Sequence, residues 1–447
     1  MIARMRLRAA TVWRGRSRWF DVPTSQTDAL TAASGAGAGL AACRFCAAPL
    51  RHTFVDLGMS PLCESYVPAE RVNAMEPFYP LHAKICERCL LVQLEEFVSG
   101  EDIFTEYAYF SSYSDSWVAH ARAYVEMAVE RFGLGPDSLA VEVASNDGYL
   151  LQHVVERRIP ALGIEPAANV AAVAQELGIE TIVRFFGREL AAELVAEGRR
   201  ADLLAANNVM AHVPDLNDFV AGIEMVLAPE GVATIEVPHL MRLVEDNQFD
   251  TIYHEHFQYF SCLTAQHVLA GHGLELFDVD QLKSHGGSLR LYAQRKSTGT
   301  RPIEQRVHDL LARERALGFD TLEGHLAFTA RVEETKWSLL EFLIAHRREG
   351  KRIAGYGAPG KGNTLLNYCG IRTDLLAYTV DRNPYKQGQF LPGTHIPILH
   401  PEVLEQDRPD YILILPWNLK EEIVAQLSHA REWGARFVVP IPRVEVL

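Results

Sequence analysis

Short apolar runs alternate with stretches of helical period through the middle of the chain, and each run ends in polar residues. "SDSWVAHARAYVEMAVERFG" has helical spacing; the apolar run Leu139–Val143 then leads into a polar turn containing Gly148 and a second helical stretch. "ALGIEP", "ADLLAANNVMAHV" and "GVATIEVP" repeat the pattern, the last after a "LAPEG" turn. Strands alternating with helices predict βαβ units and a parallel, doubly wound sheet over residues 115–300. Ligands of such sheets sit beyond the carboxyl ends of the strands. From 302 to 350 the pattern is helical and charged, and "KRIAGYGAPGKGNTLLNY" then reads as strand, glycine-rich turn and helix. With "LAYTVDRNPYKQGQFLPGTHIPI" and "PDYILILPWN" this predicts a second, smaller Rossmann-like unit over 301–447. No repeat at solenoid periods is evident.

A chain of 447 residues exceeds one hydrophobic core, so two or three domains are expected. Forty-three basic against 57 acidic residues give a net charge of −14, which argues against a nucleic-acid partner held by phosphate contacts. Nothing approaches ~18 consecutive apolar residues, so no membrane-spanning helix is expected. Residues 1–42 differ: six arginines, two acids, then "TAASGAGAGLAA". That stretch reads as a disordered basic leader or a misassigned start. Arginines interrupt every candidate signal-peptide core, and an organelle transit peptide has no other support. The expectation is a cytoplasmic monomer acting on a small molecule.

Cysteine spacing adds a metal. "CRFC" (43–46) and "CERC" (86–89) form two C-x₂-C knuckles. In a reducing compartment these predict Cys43, Cys46, Cys86 and Cys89 as a tetrahedral zinc site within a domain spanning 43–114. Four thiolates leave no open position, so the metal is expected to fold the segment rather than catalyse. Cys63, Cys262 and Cys369 stand alone and read as small buried side chains.

The first glycine turn lacks G-x-G-x-x-G, which argues against a dinucleotide. Glu142 after the first strand, Gly148 in the turn and Glu165 ending the second strand suit S-adenosylmethionine instead. Glu165 would accept the ribose hydroxyls, and Gly148 would let backbone approach the ligand; Asn146, Asp147, Asn207 and Asn208 complete the candidate cofactor set. The bland alternative is that Glu142 and Asp147 cap the next helix. The second turn, "GAPGKG" (357–362), could cradle phosphates with Gly360 and Lys361, yet the Ser/Thr of a Walker motif is missing.

The knuckles, "EVASNDGYLL", "NNVMAHVPDL", "YHEHFQYFS", "HGGSLR" and "YGAPGKGNTLL" together carry a resemblance. From about Cys43 to its end, the chain resembles the bacterial S-adenosylmethionine-dependent C-methyltransferases of nucleotide-linked keto-deoxysugars, which serve antibiotic and surface-glycan pathways. The resemblance implies an N-terminal zinc domain, a central class I methyltransferase domain and a C-terminal Rossmann-like domain, with substrate between the last two. It further implies methylation at carbon 3 of a dTDP-4-keto sugar. In the family the base is the last histidine of the stretch matching Tyr253–His256, and His212 and either Tyr107 or Tyr109 line the pocket.

The chemistry agrees. A C–H bond does not attack a sulfonium unaided; a base must remove a proton α to a ketone while the enolate oxygen is stabilised. Histidine, ordinarily near ~6.5, suits that base, and a tyrosine or second imidazole suits the oxygen. If 251–257 is extended, Tyr253 and Glu255 share one face and His254 and His256 the other. His256 reads as the base and His254 as structural, in preference to an H-x-H metal site. Gly286, Gly287, Ser288 and Arg290 in "KSHGGSLR" are placed near sugar or diphosphate, with His239 and Trp417 as weaker candidates. Competing functions are N- or O-methylation, a nicotinamide-dependent sugar oxidoreductase or epimerase, and an interaction module with a degenerate core.

Overall fold

The computed structural model describes residues 41–99 and 111–447. Tyr107 and Tyr109 lie outside the described residues, as does most of the basic leader.

Three sheets organise the chain. The first joins β1 (His52–Ser60), β2 (Tyr79–Ile85), β3 (Val92–Gln93) and, from far downstream, β9 (Gln258–Tyr259), all antiparallel. The second is the expected doubly wound sheet. It contains β4 (Ala140–Val143), β5 (Ala161–Ile164), β6 (Glu180–Ile182), β7 (Ala201–Asn207), β8 (Leu227–Pro238), β10 (Leu274–Leu282) and β11 (Ser288–Arg295). Their spatial order is β10-β11-β8-β7-β4-β5-β6, with β4 to β8 parallel and β11 antiparallel to both neighbours. The third sheet runs β14 (Ile398–Leu399), β13 (Thr379–Val380), β12 (Ile353–Tyr356), β15 (Tyr411–Ile414), β16 (Arg436–Val439) and an antiparallel β17 (Glu445–Val446).

The parallel strands β4, β5 and β7 are largely buried on both faces because helices cover them. Helix α1 (Asp115–Phe132) starts where Ser114 accepts from the Trp117 amide and stops at left-handed Gly133. Helices α2 (Leu151–Val155), α3 (Ala168–Glu176), α4 (Arg188–Ala196) and α5 (Leu216–Val226) follow strands in turn. Gly148 (φ +81°) is required by packing: a Cβ there would stand 2.5 Å from Ile179 Cδ1 and 3.2 Å from Ala174 Cβ. Its close approach on the Cβ side is therefore to the α3 region.

The segments interlock. After α6 (Leu240–Glu245) and α7 (Cys262–Gly271), helix α8 (Gln305–Ala316) packs on α7 and β10 of the second sheet. Helix α9 (Leu322–Leu326) packs on β1, as do the long α10 (Phe328–Arg348) and α11 (Gly360–Cys369). One continuous apolar core runs from Cys43 to Ile441. In the third sheet, β12 lies between β13 and β15, the switch point where a dinucleotide would ordinarily sit. Pro416 packs against the turn there: a Cβ on Gly357 would meet Pro416 Cδ at 2.5 Å. No helix among the described residues is long and apolar enough to cross a membrane.

Candidate active site

A cavity of about 690 Å³ opens at the carboxyl ends of β4, β5, β7 and β8. Val143, Asn146 and Tyr149 form one part of its wall, Glu165 a second, and Asn207, Asn208 and His212 a third. Tyr253, Glu255 and His256 face them, with Glu64 and Lys361 contributed by distant segments. A single cavity thus brings the cofactor candidates and the catalytic candidates together.

Glu165 is fixed before any ligand arrives. Its Oε2 accepts from the Asn146 amide and its Oε1 from the Ala167 amide, both at 2.9 Å. Each oxygen retains a second lone pair for a hydroxyl. Burial raises its carboxyl above the ordinary value, and those two amides oppose the shift. Glu142 is fully buried below the lining; burial pushes its carboxyl well above the ordinary value, and a hydrogen bond from Tyr149 opposes that shift. Asp147 is also below the surface, where it accepts from the Ser112 amide at 3.0 Å, and Asn146 Oδ1 accepts from Ser111 at 2.9 Å. Both thus fasten the chain entering α1.

The "YHEH" stretch departs from the extended reading. Residues 253–256 form a tight turn in which the His256 amide donates to Tyr253 O at 2.9 Å. Alternation therefore fails: Tyr253, Glu255 and His256 all line the cavity, while His254 Nε2 lies 3.2 Å from Pro80 O on β2. His256 Nδ1 lies 2.9 Å from Thr251 O. A carbonyl only accepts, so in the neutral ring Nδ1 carries the hydrogen and Nε2 holds the lone pair. The His256 ring is 4.6 Å from that of His212 and 4.0 Å from that of Tyr253. Burial, with Cys63 and Glu255 nearby, pushes the Tyr253 hydroxyl well up, so it remains a donor at neutral pH.

Burial, reinforced by Glu64, pushes the Glu255 carboxyl from 4.5 up to about 7. The folded protein holds a proton there that the unfolded chain has released, so stability falls as pH rises between those two values. Glu255→Gln is expected to melt like wild type at pH 4 and to gain at pH 8. The gain should be about 1–2 kcal/mol, because the open cavity screens part of the shift. Calorimetric melting at the two pH values checks it; an equal change at both would remove the linkage.

Lys361 begins α11, with Nζ 3.0 Å from Asn418 Oδ1 and 4.7 Å from the Trp417 ring centre. Burial lowers its ammonium and Asp250 supports it. Trp417 in turn donates to Asp250 at 2.7 Å. Gly286, Gly287, Ser288, Arg290 and Gly360 are not on the wall, whereas the weaker candidate His239 is. Arg290 is buried, donating to Glu236 Oε2 at 3.0 Å and lying 4.6 Å over the Tyr124 ring. Ser288 donates to Ser284 O at 3.1 Å. Gly286 makes room for Gln248 and Trp417, Gly287 for Arg242, and Gly360 for Cys63 and Glu64. These glycines serve packing because the chain crosses itself there. Gln248, Glu64 and His239 line the cavity instead.

The four knuckle thiols lie within 4.8 Å of one another, with Cys43–Cys89 and Cys46–Cys86 sulfurs 3.5 Å apart. Tetrahedral zinc with bonds of about 2.3 Å needs sulfurs about 3.8 Å apart, so the set fits that ion. The knuckle reaches the active site through protein. Gln93 donates to Cys43 Sγ at 3.3 Å, and β3 pairs Gln93 with Gln258. Gln258 holds Met210 O at 2.7 Å and Val213 O at 2.9 Å, which brackets His212. Arg44, between two ligands, donates to Pro214 O at 2.6 Å.

A doubly wound sheet with this cavity at its switch point defines a methyltransferase of the S-adenosylmethionine-binding class. Family models agree in register: a zinc binding domain over 43–104, a methyltransferase domain over 117–279 and a C-methyltransferase C-terminal domain over 283–442. The chain is 35% identical over 405 residues to the C-methyltransferase NovU of Streptomyces niveus, covering 91% of this chain and 96% of that protein. It belongs to the C-methyltransferase family. Among solved structures it is similar to the Burkholderia thailandensis 1,6-didemethyltoxoflavin-N1-methyltransferase (15% identity, 46% of this chain, 94% of that one, TM-score 0.34). It is similar also to the Synechocystis magnesium protoporphyrin IX methyltransferase with bound S-adenosylmethionine (13%, 40%, 82%, 0.31).

Proposed function

We propose that the enzyme methylates carbon 3 of a dTDP-linked 4-keto-deoxysugar through an enolate generated by His256. The observation that carries this reading is the His256–Thr251 hydrogen bond, which leaves Nε2 as a base on the wall of the cofactor cavity. S-adenosylmethionine, when bound, supplies the electrophilic methyl group. Glu165 holds the ribose, and Glu142 lies beneath the β4 turn that receives the amino-acid end. His256 Nε2 removes the α proton, while the Tyr253 hydroxyl and His212 donate toward the enolate oxygen. Positioning of the carbanion against the methyl group completes the step. Lys361 and the N-terminus of α11 receive the diphosphate; of the described lysines and arginines on the wall, Lys361 is the one from the C-terminal segment, Arg184 being engaged with Glu193. The three units proposed for the chain are the zinc segment 43–114, the methyltransferase segment 115–300 and the C-terminal segment 301–447.

Methylation of carbon is favoured over nitrogen or oxygen because a preformed nucleophile needs no base so placed. The absent G-x-G-x-x-G weighs against a nicotinamide enzyme, as does Pro416 packed on the Gly357 turn. The test is incubation of dTDP-4-keto-6-deoxyglucose with S-adenosylmethionine labelled with ¹³C at the methyl group. A new carbon-bound methyl correlating to carbon 3 is expected. A methyl on oxygen, or on another carbon, would overturn the regiochemistry, and no transfer at all would overturn the substrate class.

A further inference from the structure

One buried side chain on the cavity wall, the weaker sequence candidate His239, has an incomplete hydrogen-bond set and no part in the step above. His239 follows β8, lines the cavity and is 1% exposed. Its Nε2 lies 2.7 Å from Oε1 of Glu314, which arrives from α8 and is fully buried. Both Glu314 oxygens already accept backbone hydrogens from the first turn of α7, Oε1 from Cys262 at 2.7 Å and Oε2 from Leu263 at 2.8 Å. A carboxylate surrounded by donors is an acceptor, so Nε2 carries the hydrogen and the neutral ring leaves Nδ1 bare. Nδ1 is buried without a partner in the protein. An acceptor left in that state is costly, and a donor on a ligand removes the cost.

We propose that His239 Nδ1 is a recognition site for a ring hydroxyl of the sugar, and that Glu314 positions it by fixing the tautomer. This rests on the ketosugar reading and narrows it: the preferred substrate keeps a hydroxyl that a more deoxygenated sugar lacks. A tether between α8 and the central sheet would need Nε2 alone, so the two ring nitrogens separate the roles. Glutamine at 239 reproduces a donor near Nε2 and loses Nδ1. Asparagine places an acceptor near Nδ1 and loses the Glu314 contact.

The experiment compares kcat/KM of wild type, His239→Gln and His239→Asn on dTDP-4-keto-6-deoxyglucose and its 2-deoxy and 3-deoxy counterparts, with melting temperatures alongside. Wild type is expected to prefer the parent sugar over one counterpart by about 10- to 100-fold. His239→Gln should melt with wild type and lose that preference; His239→Asn should regain part of it. Equal use of all three sugars by wild type, or an undiminished preference in His239→Gln, overturns the proposal. If His239→Gln melts early, the decision passes to His239→Asn, whose failure to discriminate would count against Nδ1. Wild type methylating none of the three would end the ketosugar reading itself, a result visible before any variant is compared. For Glu314→Leu, which leaves Nε2 no acceptor there, the imidazole ¹⁵N shifts should show the hydrogen no longer confined to Nε2; an unchanged pattern removes the positioning role.

Discussion

In D₂O, with S-adenosylhomocysteine in the cofactor site, the wild-type enzyme is expected to exchange the proton α to the ketone of a dTDP-4-keto-6-deoxy sugar, and His256→Ala is not. The expected difference is about 10³-fold, in the range that a positioned general base supplies. The reason is local. The Thr251 carbonyl 2.9 Å from Nδ1 fixes which nitrogen carries the lone pair, and rings at 4.0 and 4.6 Å from Tyr253 and His212 hold the imidazole from two sides. The substitution removes a side chain that is 7% exposed and part of a turn, so folding must be checked with it. Binding of S-adenosylhomocysteine should survive, because Glu165 is anchored by Asn146 and Ala167 and not by the turn. Exchange persisting in His256→Ala would move the base to another residue, with His212 next. Exchange absent from wild type would remove enolisation.

The second large effect is expected on removing zinc. The knuckle makes no contact with the methyl-transfer chemistry, yet chelation should lower kcat by more than about 100-fold. Zinc binding in small Cys sites contributes on the order of 10 kcal/mol, and here it organises the strand that pairs with β9. Without it, Gln93 loses its sulfur partner, Gln258 loses its strand partner, and the His212 and His256 loops lose a shared support. The measurement is kcat and S-adenosylhomocysteine affinity after chelation, and again after zinc is restored. Loss of turnover with cofactor binding within about tenfold of the holoenzyme supports a positioning metal. Full activity in the apoprotein would show that the knuckle is dispensable to the site, and loss of both would assign it to global folding.

Much of this architecture was legible before the structure. The βαβ run, its switch point, the Cys₄ spacing and the second Rossmann-like unit follow from hydrophobic period and from ligand spacing, which are local properties. What escaped is non-local. The extended reading of 251–257 failed because the Phe257 amide and Ala211 carbonyl, and β9 against β3, pull the segment into a turn. Arg290 looked like an anion ligand, since a buried partner such as Glu236, 54 residues away, leaves no mark near it. Glycines in "HGGSLR" and "GAPGKG" signalled close approach correctly, but the approaching groups are Gln248, Arg242 and Cys63 rather than a ligand. Glu314 and Gln258 are ordinary residues in their own sequence neighbourhoods; only the fold brings them to the cavity.

The pairing of β3 with β9 has a consequence for recombination. A chimera joined near residue 115 would give the catalytic turn of one parent to the zinc strand of another, mismatching Val92 with Tyr259 and Gln93 with Gln258. Lys361 and Glu64 would likewise come from different ancestors. The cavity wall is therefore inherited as a set drawn from all three stretches, and swaps that respect the pairings rather than the linear order are the ones expected to keep it intact.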